Sequence, residues 1–293
     1  MTRGRAKKGQ PPTDSSRMRN LIKRLIRDVI RIADNSAVGR YCLEQALITA
    51  MARTQRIQHR GVELEFTVPN LVNHFRIDTF AIKEPETLEW IDALPRGSVL
   101  WDVGANIGLY SCYAAKARDC NVYAFEPSVF NLELLARNIF LNRLESRINI
   151  VPLALNTKIG TDFFSMTTTE WGGAFSTYGQ PYGHDGQSLE KVFEFRTIGI
   201  SMDDAAQLFS IPAPEHIKID VDGIEHLILK GGGKLLHGVT SVLIEINDDF
   251  EEQSFQAAHF LTNAGLVLKE KRRSEIFQDT IYQASYNQTW VRP

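Results

Sequence analysis

The chain has 293 residues, of which 43% are hydrophobic and 23% charged, with a formal net charge of −2. This composition is typical of a soluble globular protein with one large or two small domains, and the small net charge argues against a nucleic-acid partner. Three cysteines outside any C-x-x-C pair exclude a disulfide scaffold or metal knuckle and favour a reducing compartment. The sequence has no apolar run of membrane-spanning length and no secretory signal, so we expect a cytoplasmic protein.

The basic charge is concentrated at the N-terminus. Residues 1–31 contain ten Lys or Arg and two acidic residues, a net charge of +8, which leaves −10 for the remaining chain. Residues 1–15 are rich in basic residues, Gly and Pro, and we predict a disordered tail. From Arg17 onward, apolar residues recur at helical spacing with basic residues between them, which predicts a basic amphipathic helix. Such a helix packs on the main domain or on a second copy, or lies on the inner face of an anionic membrane. The alternatives, including a homo-oligomer, stay open.

Residues 16–82 are predicted to form an N-terminal extension of amphipathic helices and a hairpin. A second helix is expected at about 38–54. Weak alternation over 57–80, with Pro69 and Asn70 as turn residues, predicts a short hairpin.

Residues 83–293 are predicted to form one α/β domain. Short apolar strands alternate with helices, which predicts a mostly parallel sheet covered on both faces. The predicted strands are 99–103, 121–125, 148–153, 216–221, 239–246, 266–269 and 280–290, with the last one antiparallel. The predicted helices are 84–94, 108–117, 129–141, 201–209, 250–264 and one from about 224.

Residues 159–200 interrupt this alternation. The segment contains five glycines with aromatic residues between them, so we expect an irregular loop that is either a lid over a substrate or a surface excursion. Trp171 and Tyr182 could stack on the face of a ring-shaped substrate such as a sugar, and His184 could act as a base after lid closure. The less specific interpretation is that these side chains form a small local core or have no role.

A glycine-containing turn, W-D-V-G-A-N-I-G-L-Y-S from Trp101 to Ser111, joins the first predicted strand to its helix. Gly104 and Gly108 allow a tight turn and a close backbone approach to a ligand, at the strand ends where α/β sheets bind cofactors. The turn matches neither the G-x-G-x-x-G dinucleotide pattern nor a P-loop.

Glu126 follows the second strand, where a carboxylate can accept hydrogen bonds from both ribose hydroxyls of NAD or of S-adenosylmethionine. S-adenosylmethionine carries no pyrophosphate, so a turn with fewer glycines than the dinucleotide pattern favours S-adenosylmethionine over NAD. A NAD-dependent oxidoreductase is the weaker alternative, because no Tyr-x-x-x-Lys pattern is present.

The stretch I-K-I-D-V-D-G-I-E, residues 217–225, spans a predicted buried strand and the turn after it. Asp220 and Asp222 lie at the carboxyl end of this strand, where we expect the second substrate, here called the acceptor, to bind beside the cofactor. We predict one of them to be the general base, oriented by Lys218 and Glu225.

Glu245 and Asn247 end the neighbouring strand and are predicted to face the acceptor. Together with the two aspartates they could hold Mg²⁺ through oxygen ligands. A required metal is not favoured, because the sequence contains no compact oxygen-ligand motif.

From about Glu84 to Asn247 the sequence resembles the FkbM-type S-adenosylmethionine-dependent methyltransferases. The resemblance rests on D-V-G-A-N-I-G (102–108), F-E-P (125–127), N-I-F-L-N-R-L (138–144), V-P-L-A-L (151–155), I-K-I-D-V-D-G-I-E (217–225) and L-I-E-I (243–246). It implies a Rossmann-like, seven-stranded class I methyltransferase sheet with its last strand antiparallel. It also implies O-methylation, often of a sugar hydroxyl in a glycan, glycolipid or natural product. The family usually has Glu at the position of Asp222 and often His at the position of Asn247. These two differences bear on the identity of the acceptor.

The predicted cofactor site comprises Asp102, Gly104, Ala105, Asn106, Gly108, Tyr110, Ser111, Glu126, Pro127 and Ala154. The alternative outside the enzyme class is a non-catalytic S-adenosylmethionine-binding or membrane-tethered scaffold protein, in which the N-terminal helix carries the function.

Overall fold

A computed structural model describes residues 14–273, 276, 280 and 283–293. The chain divides into two compact units, one ending at Arg53 and one running from Thr54 to Pro293. Most of the tail predicted to be disordered lies outside the described residues, whereas residues 14 and 15 begin a helix.

The first unit is a helical hairpin. Helix α1 (Asp14–Asp34) and helix α2 (Ala37–Met51) confirm the two helices predicted for this region. Ser36 caps α2, because its hydroxyl accepts the backbone N–H of Gly39 at 2.9 Å. A Cβ on Gly39 would lie 1.9 Å from the carbonyl oxygen of Ala33, so the tight connection requires glycine there.

The second unit contains the remaining elements. Its helices are α3 (Leu71–Asp78), α4 (Phe80–Lys83), α5 (Pro85–Ala93), α6 (Leu109–Arg118), α7 (Val129–Asn142), α8 (Met202–Leu208), α9 (Glu225–Lys230) and α10 (Glu251–Asn263), with a 3₁₀ turn at Leu235–Gly238. Its strands are β1 (Thr54–His59), β2 (Val62–Thr67), β3 (Val99–Val103), β4 (Asn121–Phe125), β5 (Ile148–Val151), β6 (Ala154–Leu155), β7 (Gly160–Met166), β8 (Ser176–Tyr178), β9 (Phe193–Ile200), β10 (His216–Ile219), β11 (Ser241–Asn247), β12 (Val267–Arg272) and β13 (Ser285–Val291).

The central sheet has seven strands in the order β12-β13-β11-β10-β3-β4-β5. Strands β5, β4, β3, β10 and β11 are parallel, and β13 runs antiparallel to β11 and β12. All four residues of β10 are buried, including the polar His216 and Lys218, as expected for a central parallel strand covered on both faces. The predicted sheet with its reversed last strand is therefore confirmed.

The prediction that residues 159–200 are irregular is wrong in part, because the segment contains three strands. Strands β7, β8 and β9 form an antiparallel sheet, to which β6 adds in parallel. The sequence hides β7 because its first four residues are exposed and its last three buried, so no period of two develops. The strands leave two irregular stretches, residues 179–192 and residues 167–175, and we call the latter the covering loop.

The hairpin exists, but earlier in the chain than predicted. It is formed by β1 and β2, whose turn contains Gly61 at φ +82°. Asn70 caps α3 by accepting the N–H of Asn73, so the supposed turn is a helix start and Phe75 and Ile77 are helical.

The larger compact unit begins at Thr54 and not after residue 82, so it includes the hairpin that we predicted as part of the N-terminal extension. The backbone N–H of Thr67 donates to Oδ1 of Asn138 on α7 at 2.8 Å, and that of Glu65 donates to Oδ1 of Asn142 at 3.0 Å. These bonds use one edge of β2 that would otherwise remain unpaired.

Candidate active site

The glycine turn after β3 packs against two neighbouring strands. Gly104 has φ +83°, and a Cβ on it would lie 1.9 Å from the carbonyl oxygen of Asp220. The N–H groups of Gly104 and Ala105 both donate to the carbonyl of Phe125 at 3.0 Å. Gly108, also at φ +83°, is the N-cap residue of α6. Glycine is therefore required at Gly104 by both conformation and space.

A buried lysine lies between two carboxylates behind the turn. Lys218 is 3% exposed, and its Nζ lies 3.0 Å from Oδ2 of Asp220 and 4.0 Å from Oδ1 of Asp102. The parallel register places Lys218 beside Asp102. Ser111 donates to the other oxygen of Asp102 at 2.5 Å, and the ring of Tyr110 lies 5.2 Å from the ammonium.

The charges of this group follow from these neighbours. Burial alone would lower the pKa of Lys218, but Asp220 and Asp102 raise it, so the ammonium stays charged. Burial raises the pKa of Asp220, but Lys218 and Lys83 outweigh burial and hold that pKa below its ordinary value. Asp220 is therefore an ionised carboxylate at neutral pH.

Asp222 differs from Asp220 in its electrostatic surroundings. Burial and the nearby charge of Asp220 raise the pKa of Asp222. Its Oδ2 accepts the N–H of Phe175 at 2.7 Å and lies 3.4 Å from the nitrogen of Ser176. Oδ1 has no hydrogen bond among the described residues. Asp222 is thus held at one oxygen by the end of the covering loop.

Glu225 shapes the turn that carries Asp222. Its carboxylate accepts the backbone N–H groups of Val221 at 3.1 Å and Gly223 at 3.0 Å, and burial raises its pKa to about 7. Asp222 has φ +65° within this turn. Glu225 lines neither cavity described below, so it positions Asp222 through the backbone rather than through a side-chain contact.

Glu126 has a similar place beside the glycine turn. It accepts the N–H groups of Asn106 and Ser128, each at 2.8 Å, and burial raises its pKa to about 7. The carboxylate does not line either cavity. In this structure it joins the glycine turn to the end of β4.

The covering loop is attached to the turn by carboxamide side chains. Asn106 and Asn131 donate to the carbonyl of Gly173 at 2.9 and 3.2 Å, and Asn131 accepts the N–H of Gly172 at 3.1 Å. Arg76 on α3 donates through Nε to the carbonyl of Gly172 at 2.9 Å. Three separate elements therefore hold this loop over the strand ends.

A cavity of about 250 Å³ opens beneath the covering loop. Gly104 and Asn106 line it from the turn, and Asp220, Asp222 and Glu245 line it from the ends of β10 and β11. Burial, Asp220 and Glu84 raise the pKa of Glu245 well above its ordinary value, which favours its neutral form.

A smaller cavity adjoins the first at Gly104, which lines both. Its walls include Pro127 and Ala154, two of the predicted cofactor residues, together with Ser176 and Tyr178. The two recesses therefore meet at Gly104, which has no side chain to separate them.

Four predicted acceptor residues lie outside both cavities. Trp171 directs its indole N–H to Glu133, and Tyr182 packs its ring 5.3 Å from that of Phe250. The His184 ring lies 5.3 Å from that of Phe175, and the Oδ1 of Asn247 accepts the N–H of Asp249.

Residues that the sequence did not indicate complete the larger cavity. Arg76, Lys83 and Glu84 line it from the segment between α3 and the start of α5, Arg273 lines it from just after β12, and Asn287 lines it from β13. Lys83 pairs with Glu84 at 2.7 Å. Their segments lie outside the strand–helix alternation, so no sequence spacing links them to the site.

Metal-binding geometry is not evident in the part of the chain that the structure describes. Among those residues, no group of three or more His, Cys, Asp or Glu side chains is arranged to hold a metal ion.

The sheet order, the glycine turn and the cavity at the strand ends define a methyltransferase of the Rossmann-like class. The model of the methyltransferase FkbM domain matches residues 102–268, more than half of the chain. The protein belongs to the FkbM methyltransferase family and is a methyltransferase, as the sequence predicted, and not an oxidoreductase.

Two curated relatives carry related descriptions. The chain is 25% identical to the hexuronic acid methyltransferase AglP of Haloferax volcanii over 223 residues, covering 76% of this chain and 83% of AglP. It is 36% identical to the methyltransferase sdnD of Sordaria araneosa over 69 residues, 23% of this chain and 27% of sdnD. Among solved structures, methyltransferase FkbM of Methylobacillus flagellatus KT is similar at 14% identity and a TM-score of 0.46, covering 75% of this chain and 52% of that one.

Proposed function

We propose that the protein transfers a methyl group from S-adenosylmethionine to a hydroxyl group of a sugar. The observation that carries the proposal is the larger cavity, in which the glycine turn and the carboxylates of Asp220 and Asp222 face one space. Such a space brings a donor and a polar acceptor together in a fixed orientation, which is the main requirement of a displacement reaction.

The two recesses meet at Gly104, and the smaller one, with a volume of about 30 Å³, must widen to hold a nucleoside. We assign the nucleoside to the recess at Pro127 and Ala154, and the amino-acid portion to the turn at Gly104 and Asn106. Bound S-adenosylmethionine supplies a methyl group that its positive sulfur has already activated. The ionised carboxylate of Asp220 favours a positive charge in the larger cavity.

Asp222 is the proposed general base. Its raised pKa makes it a stronger base than an ordinary aspartate, and the Phe175 N–H holds one oxygen while the other has no hydrogen bond among the described residues. It accepts the proton of the acceptor hydroxyl as the methyl–oxygen bond forms. A carboxylate base makes a metal unnecessary, so we expect full activity after dialysis against EDTA.

We propose that the acceptor is acidic, as the name of the relative AglP says of that protein's substrate. Arg76 and Arg273 line the cavity, and neither has a carboxylate within ion-pair distance among the described residues. Among the other charged residues of the lining, Glu84 pairs with Lys83 and Asp220 with Lys218, whereas Glu86 and Asp222 have no ion pair among the described residues. A guanidinium can bind a carboxylate through two parallel hydrogen bonds.

The test measures transfer of labelled methyl from S-adenosylmethionine to hexuronic acids and to the neutral hexoses of the same configuration. Methylation of the acids in preference to the hexoses supports both parts of the proposal. Equal transfer to both series would reject the acidic acceptor and keep the reaction. Absence of transfer to any sugar, with the donor bound, would reject the sugar.

Calorimetry and kinetics can distinguish the roles of Arg76 and Arg273. Arg273→Gln is expected to raise the KM for a hexuronic acid about tenfold or more and to leave donor affinity unchanged, because a charge-assisted pair contributes about 1.5–3 kcal/mol. If Arg76→Gln weakens donor binding alone, Arg76 binds the donor's carboxylate rather than the acceptor's.

A further inference from the structure

Helix α1 has an apolar face that the methyl transfer does not use. Its large apolar side chains are 46–69% exposed. They are Met18, Leu21, Ile22, Leu25, Ile26, Val29, Ile30 and Ile32. At 3.6 residues per turn these positions occupy about half of the helix circumference.

The opposite half of α1 is basic. Lys23, Arg24, Arg27 and Arg31 project from it and are exposed. Asp28 lies there as well and pairs with Arg31 at 3.3 Å. The thirteen residues before α1 add four Lys or Arg and no acidic residue.

We propose that α1 lies in the plane of an anionic lipid surface, with its apolar face among the acyl chains and its basic residues at the phosphates. Among the described residues, no helix has the length and apolar character needed to cross a bilayer. A helix of 21 residues is about 30 Å long and can lie along the surface over its whole length.

The charge pattern favours lipid over a second copy of α1. A coiled-coil partner covers only the narrow seam of two positions in seven, whereas the exposed apolar residues span about half of the helix. Two copies would also bring like charges together, because the polar half of each contains Lys23, Arg24, Arg27 and Arg31. An anionic surface matches the width of the apolar face and the sign of the charge.

The test is flotation of the full chain with two kinds of vesicle, phosphatidylcholine alone and phosphatidylcholine mixed with phosphatidylglycerol. We expect recovery with the mixed vesicles and little recovery with the neutral ones. Leu25→Asp removes a side chain at the centre of the apolar face and should abolish recovery. Leu208→Asp is the matched control, since Leu208 is an exposed leucine of the second unit at 57% against 64% for Leu25.

A second variant keeps the helix and changes only its charge. Lys23→Gln with Arg27→Gln should weaken binding about 25-fold, because each basic residue near an anionic surface contributes about fivefold. Equal recovery of this variant, of Leu25→Asp and of the original chain would overturn the proposal. Absence of flotation, with a dimer that Leu25→Asp converts to monomer, would also overturn it and assign the face to a second copy.

Discussion

Two aspartates two residues apart differ in their acid–base chemistry. Asp220 lies 3.0 Å from the ammonium of Lys218, so its charge is stabilised and its pKa is lowered. Asp222 has backbone N–H partners and the charge of Asp220 as a neighbour, and its pKa is raised. This difference is the basis for the roles proposed above, charge balance for Asp220 and proton transfer for Asp222.

Replacement of the base should change both rate and pH dependence. A general base acts in its deprotonated form, so kcat/KM should fall as pH drops through a pKa above the ordinary aspartate value. Asp222→Asn should lower kcat by about 10²–10⁴ and remove this acidic limb. The affinity for S-adenosylmethionine, measured by calorimetry, should stay the same. An unchanged limb in the variant would transfer the role of base to another group.

Gly104 should tolerate no side chain. Gly104→Ala forces a residue with a Cβ to φ +83°, at a cost of about 1–2 kcal/mol, and places that Cβ 1.9 Å from the Asp220 carbonyl. We expect loss of donor binding and a clear drop in the free energy of unfolding, measured with urea. Gly97→Ala is the control, because Gly97 has φ +78° with nothing within 4 Å of its Cβ position. Equal effects of the two variants would show that the contact with Asp220 is unimportant.

At the scale of elements, the sequence predicts those parts of the site that lie on the repeating alternation of strands and helices. Strand β10 and the turn at Gly104 belong to the alternation of apolar strands and helices, so their shared edge follows from topology. Arg76 and Lys83 reach the same cavity from short helices before the alternation. Their placement depends on tertiary packing, which no local period records. The covering loop was anticipated as part of a longer irregular segment, but its attachment through asparagines was not.

Asn131 should control how long the donor stays bound. Asn131→Ala removes one hydrogen bond to Gly172 and one to Gly173, a loss of about 1–3 kcal/mol for the attachment of the covering loop. Stopped-flow measurements should show roughly tenfold faster dissociation of S-adenosylmethionine. Hydrogen exchange should accelerate within residues 167–175.

A matched asparagine provides the control for this variant. Asn121 also donates to a glycine carbonyl, that of Gly97, at 3.2 Å, but lies at the start of β4. Asn121→Ala should leave donor dissociation unchanged. If both variants accelerate dissociation equally, the effect comes from general destabilisation and not from the covering loop.

At the scale of the whole molecule, the excess of basic charge lies within the first compact unit. Residues 1–31 have a net charge of +8 and the rest of the chain −10, and the first compact unit ends at Arg53. The residues that line the two cavities lie between 72 and 287, within the second unit. The first unit therefore supplies none of the described groups that line the candidate active site.

This division predicts that residues 54–293 fold and react without the first unit. The sheet, its helices and both cavities belong to that stretch, so its thermal unfolding should remain cooperative and its kcat/KM for a soluble acceptor should match that of the full chain. Flotation with anionic vesicles should be lost, because α1 is absent. The full chain should gain rate over the fragment only when the acceptor is presented on anionic vesicles, where attachment raises the local enzyme concentration. A fragment that is folded but inactive on the soluble acceptor would mean that residues before Thr54 complete the site.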